Sequence, residues 1–407
     1  MIAITPLLVL LTLAVVVVIV ARRFHFPYTI ALVVLGFAIG IIGLEVGYSP
    51  LAQSVHALLA PNLFFNLILP PIIFEAGLHV NFQLLRRRAG LILSLAFVGV
   101  IFTTLFTGFL VAYLTAFSIA AALLLAAILS PTDPIAIVDL FRRVRVPEEL
   151  STIVESESLL NDATGVILFV VLLQIIGRGS ANLLLDAGEF AWLVLGGVAV
   201  GLAVAALVYL LHRQLQDAAV ETAVSVVAAF GSFLLAQALG ASGIISCAIA
   251  GIAVGTWIAP RAMESRVRDT VNAFWSVVVY IANSLVFLAM GLLFALSQLL
   301  NYVWLIAIVA SVMTLGRAAF VYAHRPLSKL GSSRLPDSWY NVIAISGIRG
   351  AIPVVLALSL LSGSSGLPAS TVNAIIACVL GVAFVSIIAG NVGADWYVRR
   401  SFVAAPK

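Results

Sequence analysis

Long apolar stretches, separated by short polar breaks and punctuated by glycine and proline, run from the first residues to about residue 395. Segmented on those runs, the chain predicts about thirteen helices, over roughly 3–21, 28–43, 61–79, 90–113, 117–140, 151–176, 190–211, 219–239, 243–258, 271–296, 302–322, 340–361 and 371–395. A bilayer core takes about 20 apolar residues per helical crossing. The pattern therefore predicts an all-α integral membrane protein, with 1–407 forming one transmembrane domain and no room for a separate soluble one. The first run, Ile2 to Ala21, lacks a basic leading segment and an obvious small-residue cleavage site, so it is expected to be a retained helix.

Composition sharpens this picture. Hydrophobic residues make up 63% of the chain and charged ones only 9%, with a mean hydropathy of +1.20, so lipid rather than water is the main solvent. Charge then sets the orientation. With the N-terminus outside and the C-terminus cytoplasmic, all but three of the 21 Lys and Arg fall on the cytoplasmic side. The exceptions are Arg178, which lies outside, and Arg317 and Arg349, which lie within helices. The basic runs Arg86 to Arg88 and Arg142 to Arg145 are thus topology anchors of a multi-pass protein of the cell's inner (plasma) membrane. They are not a nucleic-acid surface. Cys247 and Cys378, with no CxxC spacing, read as small apolar packing residues.

Helices one to six start outside and helices eight to thirteen start inside, which is the layout of two inverted six-helix repeats, approximately 1–176 and 219–395, with a connector helix at 190–211. The fifth member of each half is interrupted. Helix five carries SPTDP at 130–134, and helix twelve carries GIRGAIP at 347–353. Proline removes a backbone donor and glycine loosens a helix, so both are expected to be partly unwound at mid-membrane. Matched interruptions are the best sequence pointer to a transporter's substrate site.

Ionisable groups converge on the same depth, where each costs at least about 2.5 kcal/mol on insertion scales. They are Glu75 in helix three, Asp133 in helix five, Glu157 and Asp162 in helix six, and Arg349 in helix twelve. Asp139 and Glu155 lie nearer cytoplasmic helix ends, where a solvated or capping role is expected. Ser158 and Asp162 are four apart, so a hydroxyl and a carboxylate share one helix face and can hold one small hard cation. Glu157 points elsewhere, about 140° round the helix. Two jobs follow: Asp162 binds the ion, while Glu157 pairs with Arg349, a fixed counter-charge that keeps helix twelve docked. Thr132 and Asp133 in the unwound part of helix five, with Asn161 as a carboxamide neighbour, complete the site. A carboxylate screened from water takes up a proton more readily. A sodium ion needs the same group ionised, so proton and cation compete for Asp162. Coupled exchange by alternating access needs only that competition.

At these residues the chain resembles the first group of monovalent cation/proton antiporters, the bacterial sodium/proton antiporters related to animal sodium/proton exchangers. The matching stretches are FFNLILPPIIFEAGL at 64–78, SPTDPIA at 130–136, ESESLLNDATG at 155–165 and GIRGA at 347–351, in the family's order across most of the chain. The resemblance implies inverted repeats with crossed, broken helices 5 and 12, a homodimer, and an elevator-like movement of a core domain. It implies that Asn161 and Asp162 are the family's Asn-Asp pair, with Asp162 the ion and proton carrier. Ser158 and Thr132 match the family's ion ligands, Asp133 the residue that steadies the unwound segment, Glu157 and Arg349 its structural ion pair, and Glu75 a carboxylate near the ion path. Asn rather than Asp at 161 resembles the electroneutral branch, which exchanges one cation for one proton. No cofactor beyond the transported Na+ (or Li+) and H+ is implied. Two departures stand out: Gln237 occupies a position where an acidic residue is expected, and only about a dozen residues follow Asp395, too few for the regulatory tail of many relatives.

A potassium/proton antiporter with the same site is the nearest rival, because ligand types alone do not separate the two ions. An intramembrane aspartyl protease lacks its GxGD signature here, and a passive cation channel lacks a ring-forming filter motif.

Overall fold

The computed structural model describes residues 4–23, 28–46, 64–212, 217–293, 296–327, 335–362 and 366–402. Among these residues every regular element is helical. The α-helices of more than one turn or two are, in chain order, α1 (Ile4–Arg23), α2 (Tyr28–Val46), α3 (Leu69–His79), α4 (Phe82–Leu93), α5 (Val100–Leu114), α6 (Ile119–Ile128), α7 (Ile135–Val144), α8 (Glu148–Arg178) and α9 (Leu183–His212). There follow α10 (Ala218–Ala238), α11 (Gly243–Ala253), α12 (Ser265–Leu293), α13 (Leu296–Leu327), α14 (Asp337–Ile345), α15 (Ala351–Ser359), α16 (Ala369–Val385) and α17 (Asn391–Phe402). Short π-helical segments lie between α4 and α5 at Ser94–Gly99 and between α16 and α17 at Ser386–Gly390.

Seven of the described helices are long and apolar enough to cross a membrane: Ala89–Leu114, Glu148–Arg178, Leu183–Leu211, Ala218–Ala238, Ser265–Leu292, Asn301–Arg325 and Ala369–Phe402. Shorter apolar helices run over Leu11–Ala21, Tyr28–Gly40, Ile119–Ile128 and Gly243–Ile258. Several helices outrun the apolar stretches that predict them. The seventh starts at Leu183, not 190, because Asn182 Oδ1 caps Leu185 N–H at 3.2 Å and Asp186 sits in the first turn, where its charge suits the helix dipole. The last continues past residue 395 to Phe402, carried by Arg399 paired with Asp395 one turn earlier at 2.8 Å. Residue 3, residues 61–63 and residues 294–295 of three expected helices, and the basic residues Arg213, Lys329, Arg334 and Lys407, lie outside the described residues.

The chain divides into two compact units. The first comprises Met1–Leu59, Gly90–Gly179 and Ser284–Lys407. In it α13 packs on α5 and α16, α8 on α6, and α15 on α16, while α17 lies against α7. The second comprises Ala60–Ala89 and Ser180–Asn283. There α11 is the hub, packed on α3, α9 and α10. The α3–α11 approach depends on absent side chains: a methyl group on Gly251 would stand 2.5 Å from Phe74 O, and one on Gly77 2.8 Å from Ala248 O. Where lipid removes the hydrophobic drive between helices, such small-residue contacts are what lets them pack. Cys247 and Cys378 are buried free thiols.

Candidate ion site at two crossed helix breaks

The site lies wholly within the first unit and begins where α6 stops. Leu129 closes the helix, and the Ser130 hydroxyl donates to Ala127 O at 2.8 Å. Pro131 and Pro134 then supply no N–H, so helical bonding cannot resume until Ile135. Asp133 Oδ1 accepts from Ile135 N–H at 2.9 Å, which caps the first turn of α7. The extended residues between the two helices leave Thr132 with its peptide groups unpaired by any helix, so they need partners from elsewhere.

α8 provides them. Thr132 N–H donates to Asn161 Oδ1 at 3.2 Å, and Asn161 Nδ2 donates to Thr132 Oγ1 at 2.7 Å. The Ser158 hydroxyl donates to Thr132 O, and Thr132 Oγ1 reaches Ser158 Oγ at 3.4 Å. Thr132, Ser158 and Asn161 are all buried. Asp162, one residue on, is half-buried, lies against the Thr132 N–H, and has Asp133 and Glu157 as its neighbouring charges. Close approach is possible because of Gly165, where an added methyl would stand 2.6 Å from Ser130 Oγ and 2.7 Å from Pro131. Gly165→Ala should therefore cost about 1–3 kcal/mol of overpacking. A thermal melt of the detergent-solubilised protein checks it: a clearly lowered midpoint is expected, and an unchanged one would mean the break stands further from α8.

The second break crosses the first. α14 ends at Ile345, the Ser346 hydroxyl donates to Ile343 O at 2.8 Å, and α15 begins only at Ala351. Between them Ile348 O accepts the Asp133 N–H at 2.7 Å, a direct peptide link between the two interruptions. Gly350 packs against the Asp133 side chain so tightly that any Cβ there would collide with it. Asp133 thus sits at the starts of both α7 and α15, where the partial positive charge of two helix N-termini favours a carboxylate.

The expected Glu157–Arg349 ion pair is corrected. Glu157 is paired with Arg317 of α13, Nη1 to Oε1 at 3.0 Å and Nη2 to Oε2 at 2.9 Å, a two-pronged contact with both side chains largely buried. The same guanidinium donates to Ile343 O from Nη2 at 2.9 Å and so caps the exposed carbonyl end of α14. Arg317 reaches these partners by lying across Gly347, where any side chain would block it. Arg349 turns another way: its Nη1 donates to Gly347 O at 2.8 Å and its backbone N–H to Ser386 Oγ at 2.9 Å. An arginine within the apolar run MTLGRAAFV, at 313–321, was the one available signal for Arg317.

The remaining expected site residue, Glu75, belongs to the second unit. It lies on α3 with Oε1 3.3 Å from His79 Nδ1. The cluster within the first unit is therefore Thr132, Asp133, Glu157, Ser158, Asn161 and Asp162, with Arg317 added.

A family model described as "Sodium/hydrogen exchanger, transmembrane" matches residues 9–397. The chain belongs to that family. It is 32% identical over 351 residues to the Na(+)/H(+) antiporter NhaG of Bacillus atrophaeus, covering 84% of this chain and 65% of that protein. It is 31% identical over 362 residues to the Na(+)/H(+) antiporter NhaH of Halobacillus dabanensis, covering 87% of this chain and 88% of that one. The chain therefore spans just under two thirds of the length of the NhaG relative. Among solved structures, the sodium proton antiporter MjNhaP1 of Methanocaldococcus jannaschii at pH 8 superposes with a TM-score of 0.81 at 23% identity, over 97% of both chains. This likeness places the exchanger-family chain in a helical membrane-antiporter fold.

Proposed function

We propose that this protein is a secondary transporter that exchanges Na+, or Li+, for H+ one for one, with both substrates competing for Asp162. One observation carries this reading. Of the three carboxylates at the crossed breaks, Glu157 is engaged by Arg317 and Asn161, and Asp133 caps α7, while among the described residues Asp162 pairs with no basic side chain. Asp162 is the acid left available. Ser158 and Thr132 supply hydroxyl and carbonyl oxygen beside it, the hard donors that a small cation needs. In the closed hydrogen-bond set these oxygens satisfy one another, so a cation entering at Asp162 would take over the Ser158 and Thr132 lone pairs without leaving any buried group bare. The family membership and the named activity of the relatives support the same substrates.

The finer architecture belongs to the same proposal. It has thirteen crossings in two inverted repeats, approximately 1–176 and 219–395, the N-terminus outside and the C-terminus cytoplasmic, and it works as a homodimer by an elevator-like movement. The peptide link between the fifth and twelfth predicted helices supports the repeat, since it joins the members that correspond by inversion. Glu75 is assigned to the ion path on the resemblance alone. No enzymatic step and no resident cofactor is part of the mechanism.

The test is transport in proteoliposomes loaded with a pH dye. A sodium gradient should drive proton movement in the opposite direction, lithium should substitute, and potassium should be poor. Potassium working as well as sodium would favour the rival potassium/proton reading, and sodium flux without proton movement would overturn exchange. Within that assay Ser158→Ala should weaken apparent sodium affinity about tenfold, the effect of losing one charge-assisted contact, with the maximal rate less affected.

A further inference from the structure

Arg349 is the buried charge left without a role once Glu157 is paired elsewhere. It is 5% exposed, and its guanidinium makes one hydrogen bond, from Nη1 to Gly347 O, among the described residues. Nε and Nη2 have no protein partner there and are not sealed off. The charges acting on it are Arg317, which repels it, and Glu157, whose two oxygens already serve Arg317. Asp133, although packed on Gly350, is not among them. Two buried cations thus face one anion, an arrangement that is costly unless something else neutralises it.

Both arginines line a cavity of about 20 Å³, together with Ser130 of the first break and Thr103 of α5. A cavity needs about 10–15 Å³ on this measure to hold one water, so there is room for a single guest of that order. Thr103 is 8% exposed and lines the same cavity, where a hydroxyl can donate to an acceptor. The Ser130 hydroxyl donates to Ala127 O and so adds polarity without competing for that place.

From the two guanidinium groups in this lining, which include the unsatisfied N–H groups of Arg349, we infer an anion site: Arg349 and Thr103 hold one small monovalent anion of chloride's size in the cavity between α5, α13 and the two breaks. The guest neutralises Arg349 and braces the peptides of the second break against the first. The narrowness of the cavity favours a small anion over a polyatomic one such as sulfate or gluconate. The site is separate from the cation position at Asp162, and it rests on the geometry of Arg349 rather than on the proposed exchange.

The test is equilibrium binding of radiolabelled chloride to the purified full-length chain in detergent, in gluconate medium. Saturable binding is expected, displaced by bromide and not by sulfate. Thr103→Val, which keeps the shape and removes the donor, should weaken it about tenfold. The same preparations, reconstituted in gluconate, report sodium/proton exchange, which Thr103→Val should leave near the parent rate. Absence of saturable binding in the parent, equal affinity in Thr103→Val, or competition by sulfate as strong as by bromide would each overturn the site. A parent protein that binds no chloride yet exchanges normally sinks this inference alone, and a parent that binds chloride but shows no exchange sinks only the proposed transport.

Discussion

Asp162→Asn should reduce sodium-driven proton movement in proteoliposomes to the level of liposomes without protein. The amide keeps the size and one acceptor oxygen but can neither release a proton nor carry the negative charge that holds a cation. The neighbouring hydrogen bonds should survive, because Thr132 is held by Ser158 and Asn161. The melting temperature should therefore be no lower than the parent's, since a half-buried carboxylate without a basic partner gains nothing from its charge. Loss of transport with retained stability separates a carrier from a structural acid. Normal exchange in this variant would remove Asp162 from the mechanism.

Arg317→Gln should do the opposite and damage the fold itself. Removing one partner of a buried ion pair leaves the other charge unpaired, at a cost of about 3–5 kcal/mol. Here Glu157 would lose its counter-charge at 1% exposure, and Ile343 O at the end of α14 would keep only the Ser346 hydroxyl as side-chain donor. Glu157→Gln alone should be milder, since Arg317 keeps the helix-end carbonyl. The double variant Glu157→Gln with Arg317→Gln should recover part of the loss, because no buried charge remains without its partner. A thermal or denaturant melt of the four proteins measures that coupling. Additive losses would mean that the two side chains act independently. The corresponding Arg349→Gln with Glu157→Gln cycle should show weaker coupling than the Arg317 cycle, given that Arg349 makes no hydrogen-bonded ion pair with Glu157.

The two interruptions were legible because proline and glycine leave a local mark that no tertiary contact can erase. Pro131 and Pro134 bracket Thr132 and Asp133, and Gly347 and Gly350 bracket Ile348 and Arg349. The positions of Ser158, Asn161 and Asp162 were equally readable, because spacing along one helix determines which side chains share a turn. Which arginine answers Glu157 was not readable. Two intramembrane arginines were available, and the choice depends on how helices far apart in sequence meet. Arg349 belongs to the quoted motif, yet its side chain folds back on Gly347 O, while Arg317 crosses the bare face of Gly347 to reach the acid. Gly165 had a similar fate: its place in ESESLLNDATG was visible, but the contact with Pro131 that demands a glycine exists only after the break is docked on α8. Helix ends escaped hydropathy for a plainer reason. Asp186, Arg399 and Asp395 end an apolar run without ending the helix, since caps and one-turn ion pairs carry it onward.

Sodium binding to the purified protein, followed by calorimetry in two buffers of different ionisation enthalpy, reads the competition at Asp162 directly. Well below the pH at which Asp162 takes up its proton, binding should release about one proton per sodium, and each further unit of acidity should weaken apparent affinity about tenfold. Asp162→Asn should show neither heat. Sodium that binds with unchanged affinity across that pH range and releases no proton would mean that the two ions occupy the protein together, and exchange through a single shared acid would be wrong.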